Sequence, residues 1–287
     1  MTLLPPQYLD AVVSIEIKEG EKFYPLATGF LIGLKSGQKT KEGEILFNVI
    51  FVTNNHVFKD RQEVWLRFNK GVSSVRYPVS LIENGVKLWR EHPNPKIDIA
   101  AIFIQASKLQ EDGIDFRFLD EDNFATKGKM KELGITEGDD VFVLGFPMGL
   151  TGISKNYVLV RKGCIARFDD EIIETDGSFL IDASIFPGNS GSPVILKPEV
   201  ISIEGTQPVN RAYLIGVISS SINYRETAYN IGTNPPEPRV IFMQNSSLAK
   251  VVPIDYIYEL FEELQEKGLA SGKNQQIILE NEVKTRN

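Results

Sequence analysis

Short apolar runs, rich in β-branched residues and punctuated by Gly, Pro and Asn, recur through roughly the first 250 residues. Runs of that length and make-up predict strands. Six fall at 11–18, 23–34, 45–53, 63–68, 75–82 and 97–104, and six more at 141–146, 157–168, 179–183, 193–196, 213–222 and 239–243. The stretch between the two sets, 108–138, is rich in charge and Gly and reads as a linker. The pattern predicts an all-β chain of two six-stranded antiparallel barrels, over residues 1–120 and 121–268, with a C-terminal α-helix. That helix is expected from Pro253 to Lys267, where Ile254, Ile257, Leu260, Phe261 and Leu264 fall at helical spacing. Gly268 supplies its stop, and the apolar face is expected to lie on the second barrel. Residues 269–287 show no sustained apolar period and read as a mobile tail.

Composition narrows the classes. The chain has 287 residues, 42% hydrophobic and 24% charged, within the range of ordinary globular domains. A net charge of -7 with scattered Lys and Arg argues against a nucleic-acid partner. Cys164 is the only cysteine, so no intrachain disulfide can form. One Cys and two His (His56, His92) cannot build the usual N/S zinc site; no metal or cofactor is expected. The N-terminus lacks the pattern of a secretion signal, and no run approaches 18 apolar residues. With the lone cysteine, this makes a cytoplasmic location the expectation.

Three local patterns carry chemistry. Phe186-Pro187-Gly188-Asn189-Ser190-Gly191-Ser192-Pro193 brings a serine onto a sharp, glycine-flanked turn ahead of an apolar run. A serine nucleophile needs such a turn, a base and donors for an oxyanion, and the amides of Gly188 and Ser190 are candidate donors. Read alone, the octapeptide is equally a Gly/Ser-rich hairpin turn. Phe51-Val52-Thr53-Asn54-Asn55-His56-Val57 delivers His56 at the end of an apolar strand, where a general base is rigid yet reaches a cleft. Read alone, it is a surface histidine closing a hairpin. Asp98 leads into the apolar run Ile99-Ala100-Ala101-Ile102-Phe103-Ile104, a costly place for a carboxylate without a partner such as the His56 imidazole. Read alone, Asp98 is a turn residue at a strand start. Their joint occurrence, His and Asp in the first strand set and Ser in the second, favours a triad in a cleft between two barrels.

With these residues in place the chain resembles the trypsin/chymotrypsin-like serine peptidases, and within them the bacterial Deg (HtrA-like) branch. Ala27-Thr28-Gly29-Phe30, Thr53-Asn54-Asn55-His56-Val57, Asp98-Ile99-Ala100, Val143-Leu144-Gly145-Phe146-Pro147, Ile181-Asp182-Ala183 and Gly188-Asn189-Ser190-Gly191 carry the resemblance. It implies hydrolysis of peptide bonds in a protein or peptide substrate through an acyl-enzyme on Ser190. His56 would act as base, Asp98 as its orienter, and Gly188 and Ser190 as the oxyanion hole. It also implies a specificity pocket with Ser184 at its floor and Ile185 beside it. Ser219, Ser220 and Ser221 would pair with the substrate backbone, and Ser219 would hydrogen-bond Asp98. A floor without a carboxylate favours small or medium apolar side chains at P1; a shift of register would put Asp182 there instead.

Departures from the family pattern are informative. Asn189 stands where trypsin-type zymogens carry Asp, so activation by cleavage is not expected, and too few residues follow Gly268 for a PDZ module. Ser192 replaces the commoner Gly. His92, in Glu91-His92-Pro93, reads as an exposed loop residue, Cys164 as a buried small hydrophobe, and Glu237 as part of a stiff proline-rich loop. Residues 230–238 read as a lid or partner-binding segment. A pseudoprotease, and a latent enzyme awaiting a regulatory partner or homo-oligomer, remain alternatives. An α/β-hydrolase esterase lacks its Gly-x-Ser-x-Gly elbow and its residue order here.

Overall fold

The computed structural model describes residues 4–199 and 208–266. A short helix, α1 (Pro6–Asp10), precedes strands β1 (Val12–Glu19), β2 (Lys22–Lys39) and β3 (Ile45–Thr53). The helical turn α2 (Asn55–Phe58) leads to β4 (Glu63–Lys70), β5 (Ser73–Ser80), β6 (Ile82–Glu83), β7 (Val86–Lys87), β8 (Arg90–Glu91) and β9 (Ala100–Ile104). β6 and β7 pair only with each other, and the rest form a seven-stranded sheet in the order β5-β4-β1-β2-β3-β9-β8. The strand beyond the expected six is β8, two residues long, pairing with Ala100 and Ala101 of β9. The stretch read as a linker holds α3 (Ala106–Glu111), a 3-10 turn at Glu121–Asn123 and α4 (Lys127–Glu132).

The second unit consists of β10 (Asp140–Gly145), β11 (Leu159–Arg167), β12 (Phe179–Asp182), β13 (Pro193–Leu196), β14 (Tyr213–Asn230) and β15 (Glu237–Pro253). They close into a six-stranded barrel in the order β10-β11-β12-β15-β14-β13, with α5 (Asp170–Asp176) between β11 and β12 and α6 (Asp255–Glu266) at the end. Strand positions agree with the apolar runs because the central strands are buried on both faces, Leu31 of β2 meeting one core while Phe30 and Ile32 meet another. β14 and β15 are the exception. Both run well past their apolar stretches and stay paired from Gly216–Pro253 out to Asn230–Glu237.

Each unit has its own apolar core. Residues such as Leu31, Phe51, Phe58, Leu66 and Tyr77 fill the first, and Val143, Ile165, Phe179, Ile181 and Val251 the second. A third cluster joins them, with Phe30, Ile32 and Ile97 from one side and Leu144, Phe146, Leu214 and Val252 from the other. Ile257, Leu260 and Phe261 of α6 belong to this joining cluster. The helix therefore closes the seam between the units, where the sequence predicted it on the second alone; the expected stop at Gly268 and the tail lie outside the described residues. Burial of these side chains favours the joined arrangement by about 25 cal/mol per Å² of apolar surface removed from water.

Candidate active site

His56 is positioned by the end of β3. After Thr53 the chain leaves the sheet at Asn54, fully buried, and turns into α2, which carries His56. Asn54 does not cap α2; its side-chain amide donates instead to the backbone carbonyl of Asp98 (2.8 Å). The His56 backbone N–H donates to Asp98 Oδ1 (3.0 Å), and its ring Nδ1 lies 2.6 Å from Asp98 Oδ2. Two contacts to one carboxylate fix both the turn and the imidazole plane. On the other side of the ring, Nε2 lies 3.2 Å from Ser190 Oγ. Next in the chain, Asn55 is held by Trp89 Nε1 at its oxygen (3.0 Å) and donates to Glu91 (2.8 Å). The Lys87 ammonium, and then Asn55, hold the Glu91 carboxyl below the usual range against partial burial.

The loop that carries Ser190 is built on two left-handed glycines. Gly188 has φ +99° and Gly191 φ +81°. A Cβ on Gly188 would stand 2.3 Å from the Phe146 carbonyl, and one on Gly191 would stand 2.1 Å from the Thr28 carbonyl. Neither position accepts a side chain. Asn189, fully buried, closes the turn: its N–H donates to the Phe186 carbonyl (3.0 Å), and its side chain accepts from Phe186 N–H and donates to Ser192 Oγ (both 3.3 Å).

The orientation of the Pro187–Gly188 peptide matters for an oxyanion. Its carbonyl accepts the N–H of Met148 at 2.6 Å. A trans peptide points its N–H opposite to its carbonyl, so the Gly188 N–H is turned away from Met148. Among the described residues, neither the Gly188 nor the Ser190 N–H donates to a protein acceptor. Met148 itself is held with φ 56° in the 3-10 turn Pro147–Gly149.

Thr28, on β2 of the first unit, braces this loop, a role its apolar surroundings in sequence did not disclose. Its N–H donates to the Ser190 carbonyl (3.0 Å) and its hydroxyl to the Gly188 carbonyl (2.7 Å). The same hydroxyl accepts from Phe146 N–H (3.1 Å), while Thr53 Oγ1 donates to the Thr28 carbonyl (2.8 Å).

The residues expected to line a specificity pocket fall around the same loop. Ser184 is half-buried, its hydroxyl 3.2 Å from that of Ser247 on β15. Ile185 is buried, and its carbonyl accepts the Asn245 side-chain amide. Sequence reading missed Asn245 and Ser247, which the pairing of β15 with β12 brings beside residues 183–185. Ser219 lies on β14 with its hydroxyl 3.5 Å from Asp98 Oδ2, and Ser220 and Ser221 follow it there. Asp182 is exposed at the end of β12.

Two other readings change. His92 is buried, its side chain 3% exposed, rather than on a free loop. Helix α6 covers it: Nε2 lies 3.3 Å from Glu259 Oε2 and the ring meets Tyr256 edge-on at 5.4 Å. Cys164 is half-buried on β11, between Asp140 and Asp182 on the neighbouring strands. Residues 230–238 turn out to be the tip of the β14–β15 hairpin, with Glu237 exposed there. No helix among the described residues is long and apolar enough to cross a membrane, which says nothing of a β-barrel.

Two β units with Ser190, His56 and Asp98 brought into line at their seam match the chymotrypsin-like architecture expected from the sequence. Comparison with known proteins narrows it. The family model "Trypsin-like peptidase domain" matches residues 27–199, so the chain belongs to the trypsin-like peptidases. It is 30% identical over 153 residues to a "probable periplasmic serine endoprotease DegP-like" of Chlamydia trachomatis. A protein of the same description from Chlamydia muridarum is 31% identical over 153 residues. Each match covers 53% of this chain and 25% of the relative, so the chain matches about a quarter of each relative's length. The protease domain of MamO from Magnetospirillum magneticum is 14% identical, with a TM-score of 0.45 over 88% of this chain and 96% of that one. The periplasmic naming belongs to the relatives and leaves the cytoplasmic expectation for this chain without support.

Proposed function

We propose that this chain is a serine endopeptidase that hydrolyses peptide bonds through an acyl-enzyme on Ser190. The observation that carries the reading is the line Ser190 Oγ, His56 Nε2, His56 Nδ1, Asp98 Oδ2, at 3.2 and 2.6 Å. In the first step Ser190 Oγ attacks the scissile carbonyl while His56 Nε2 takes its proton. Asp98, fixed by the His56 amide, keeps the other ring nitrogen protonated and offsets the imidazolium charge. The carbonyl oxygen, now anionic, is met by the free N–H groups of Gly188 and Ser190. His56 then gives its proton to the leaving amine. A water, activated in the same way, frees the acid and restores Ser190.

The roles of the surrounding residues follow. Ser219, Ser220 and Ser221 present an open strand edge to the residues before the scissile bond, as far as backbone pairing on β14 allows. Ser184, facing Ser247, forms the pocket floor with Ile185 beside it. A hydroxyl-lined floor without a carboxylate selects small or medium apolar P1 side chains over Lys or Arg. Residues 1–120 act as the unit of the base and residues 121–268 as the unit of the nucleophile. The Met148 contact to the Pro187 carbonyl supports an oxyanion site formed without a regulatory partner.

A fluorophosphonate probe tests this, because it reacts only with a serine activated by both a base and an oxyanion hole. Native protein is expected to label, whereas heat-denatured protein and Ser190→Ala are not. No labelling of a chain that circular dichroism finds folded would overturn the reading in favour of a binding module on the same fold.

A further inference from the structure

The barrel occupies only part of β14 and β15. β13 pairs with β14 from Leu196–Tyr213 to Pro193–Val217, and β12 pairs with β15 from Leu248 to Val251. Beyond these points the two strands continue as a free ribbon from Asn223–Asn245 to Asn230–Glu237. Among the described residues nothing pairs with the outer edge of β14 beyond the contacts of Ile218 with Gly191 and Ser192. That open edge begins at Ser219, whose hydroxyl approaches Asp98. It is therefore one continuous edge from the triad to the ribbon tip.

The ribbon exposes apolar side chains on both faces. Register puts Tyr224, Phe242 and Val240 on one face and Met243 and Ile241 on the other. All are exposed, from Val240 at 44% to Met243 at 63%. A folded partner resting on the ribbon would cover one face. An extended chain added at the edge sends alternate side chains to both faces, and so meets apolar neighbours on each. The ribbon's charges, Arg225 and Arg239 against Glu226 and Glu237, cancel and select no charge in the occupant.

We infer that the occupant is the substrate's own non-primed segment, in unfolded form, added as a third strand along β14. This rests on the reading of Ser190 as nucleophile and Ser219–Ser221 as the substrate strand. With P1 opposite Ser219 and P3 opposite Ser221, antiparallel addition places P4 to P11 along Ile222 to Tyr229. At about 3.3 Å per residue that is roughly 25 Å of extra edge. Every second residue of β14 turns its N–H and C=O outward, so recognition reads backbone and length more than sequence. Efficient cleavage then needs an extended stretch ahead of the cut that reaches well beyond the residues facing Ser219 to Ser221.

Binding to Ser190→Ala separates this from catalysis. Fluorescence anisotropy compares one labelled peptide beginning at P4 with the same peptide beginning at P11. The longer one is expected to bind at least about tenfold more tightly, since several added backbone hydrogen bonds outweigh the ordering they require. N-methylation at alternate positions from P4 to P11 is expected to abolish the gain in one register and spare it in the other. Replacing residues 224–244 by Asn-Gly, a two-residue turn joining the paired Asn223 and Asn245, is expected to bring both peptides within about twofold. Equal binding of the two peptides, or a gain untouched by N-methylation in either register, overturns the inference. So does a ribbon that proves to join two copies, seen as a dimer that becomes monomeric when shortened while length has no effect on binding. If native protein fails to label with fluorophosphonate yet the length effect holds, the nucleophile reading falls and the ribbon as a polypeptide-binding edge stands.

Discussion

The two β units hold their shares of the triad in different ways. In the first, the contacts that set His56 and Asp98 come from residues 54 to 98: the His56 amide and ring on the carboxylate, and the Asn54 side chain on the Asp98 carbonyl. In the second, Ser190 sits on a loop whose carbonyls at Gly188 and Ser190 are both held by Thr28, a residue of the first unit. The loop that supplies Met148 leans the same way. Arg67, buried beside Glu16, donates to Thr151 Oγ1 (2.9 Å) and to the carbonyls of Gly152 and Ile153. Asn69 and Asn156 exchange hydrogen bonds between the side chain of the first and the backbone of the second. The His56–Asp98 pair is thus a local construction, whereas the Ser190 loop takes its shape only once the seam has closed. On the proposed reading neither half is active alone: a loosened seam disarms Ser190 while leaving the His56–Asp98 pair in place.

The largest expected effect probes the local side. Asp98→Asn keeps the shape and one acceptor but stabilises neither the correct tautomer nor the imidazolium. The turnover number on a peptide substrate is expected to fall by about 10^4-fold, as in the general triad template, with little change in thermal midpoint. A loss under about tenfold would mean that Asp98 does not orient the base.

Thr28→Val probes the shared side and is expected to act on rate and stability together. Valine fills the space but leaves the buried Phe146 N–H and Gly188 carbonyl without their partner. Each such orphan costs about 1–3 kcal/mol. Fluorophosphonate labelling is expected to slow by about 10–100-fold, the equivalent of one such lost contact at the oxyanion loop, and urea unfolding to show the stability loss. A stability loss with unchanged labelling would break the comparison, because the loop would then keep its shape without the first unit.

The pattern of what was legible follows the same division. His56, Asp98 and Ser190 each stand where an apolar run meets small polar residues, and short-range sequence records such junctions. Thr28 stands in a motif that carries the family resemblance, but the groups it holds are 118 to 162 residues away, so its bracing role was not legible locally. His92 appeared exposed because Glu259 and Tyr256, which enclose it, lie on α6 far downstream. The ribbon escaped for a different reason. From Asn223 to Asn230 both faces meet solvent, and without a core on one side no alternation is imposed on the sequence. β8 was hidden by its length, two residues just ahead of His92 and Pro93.

The smallest expected effect bears on the contact from the second unit to the first unit's carboxylate. Ser219 Oγ reaches Asp98 Oδ2 at 3.5 Å, the outer limit of a hydrogen bond, while the same oxygen already lies 2.6 Å from His56 Nδ1. Removing the hydroxyl by Ser219→Ala takes a weak donor from a carboxylate that keeps its two stronger contacts, and it leaves the β14 backbone that pairs with substrate intact. The turnover number is expected to fall by no more than about two- to fivefold, under about 1 kcal/mol, with KM unchanged. A loss beyond tenfold at constant KM would mean that the seam tunes the base as well as the nucleophile. The local character of the His56–Asp98 pair would then extend only to its position, and the strength of the base would belong to both units.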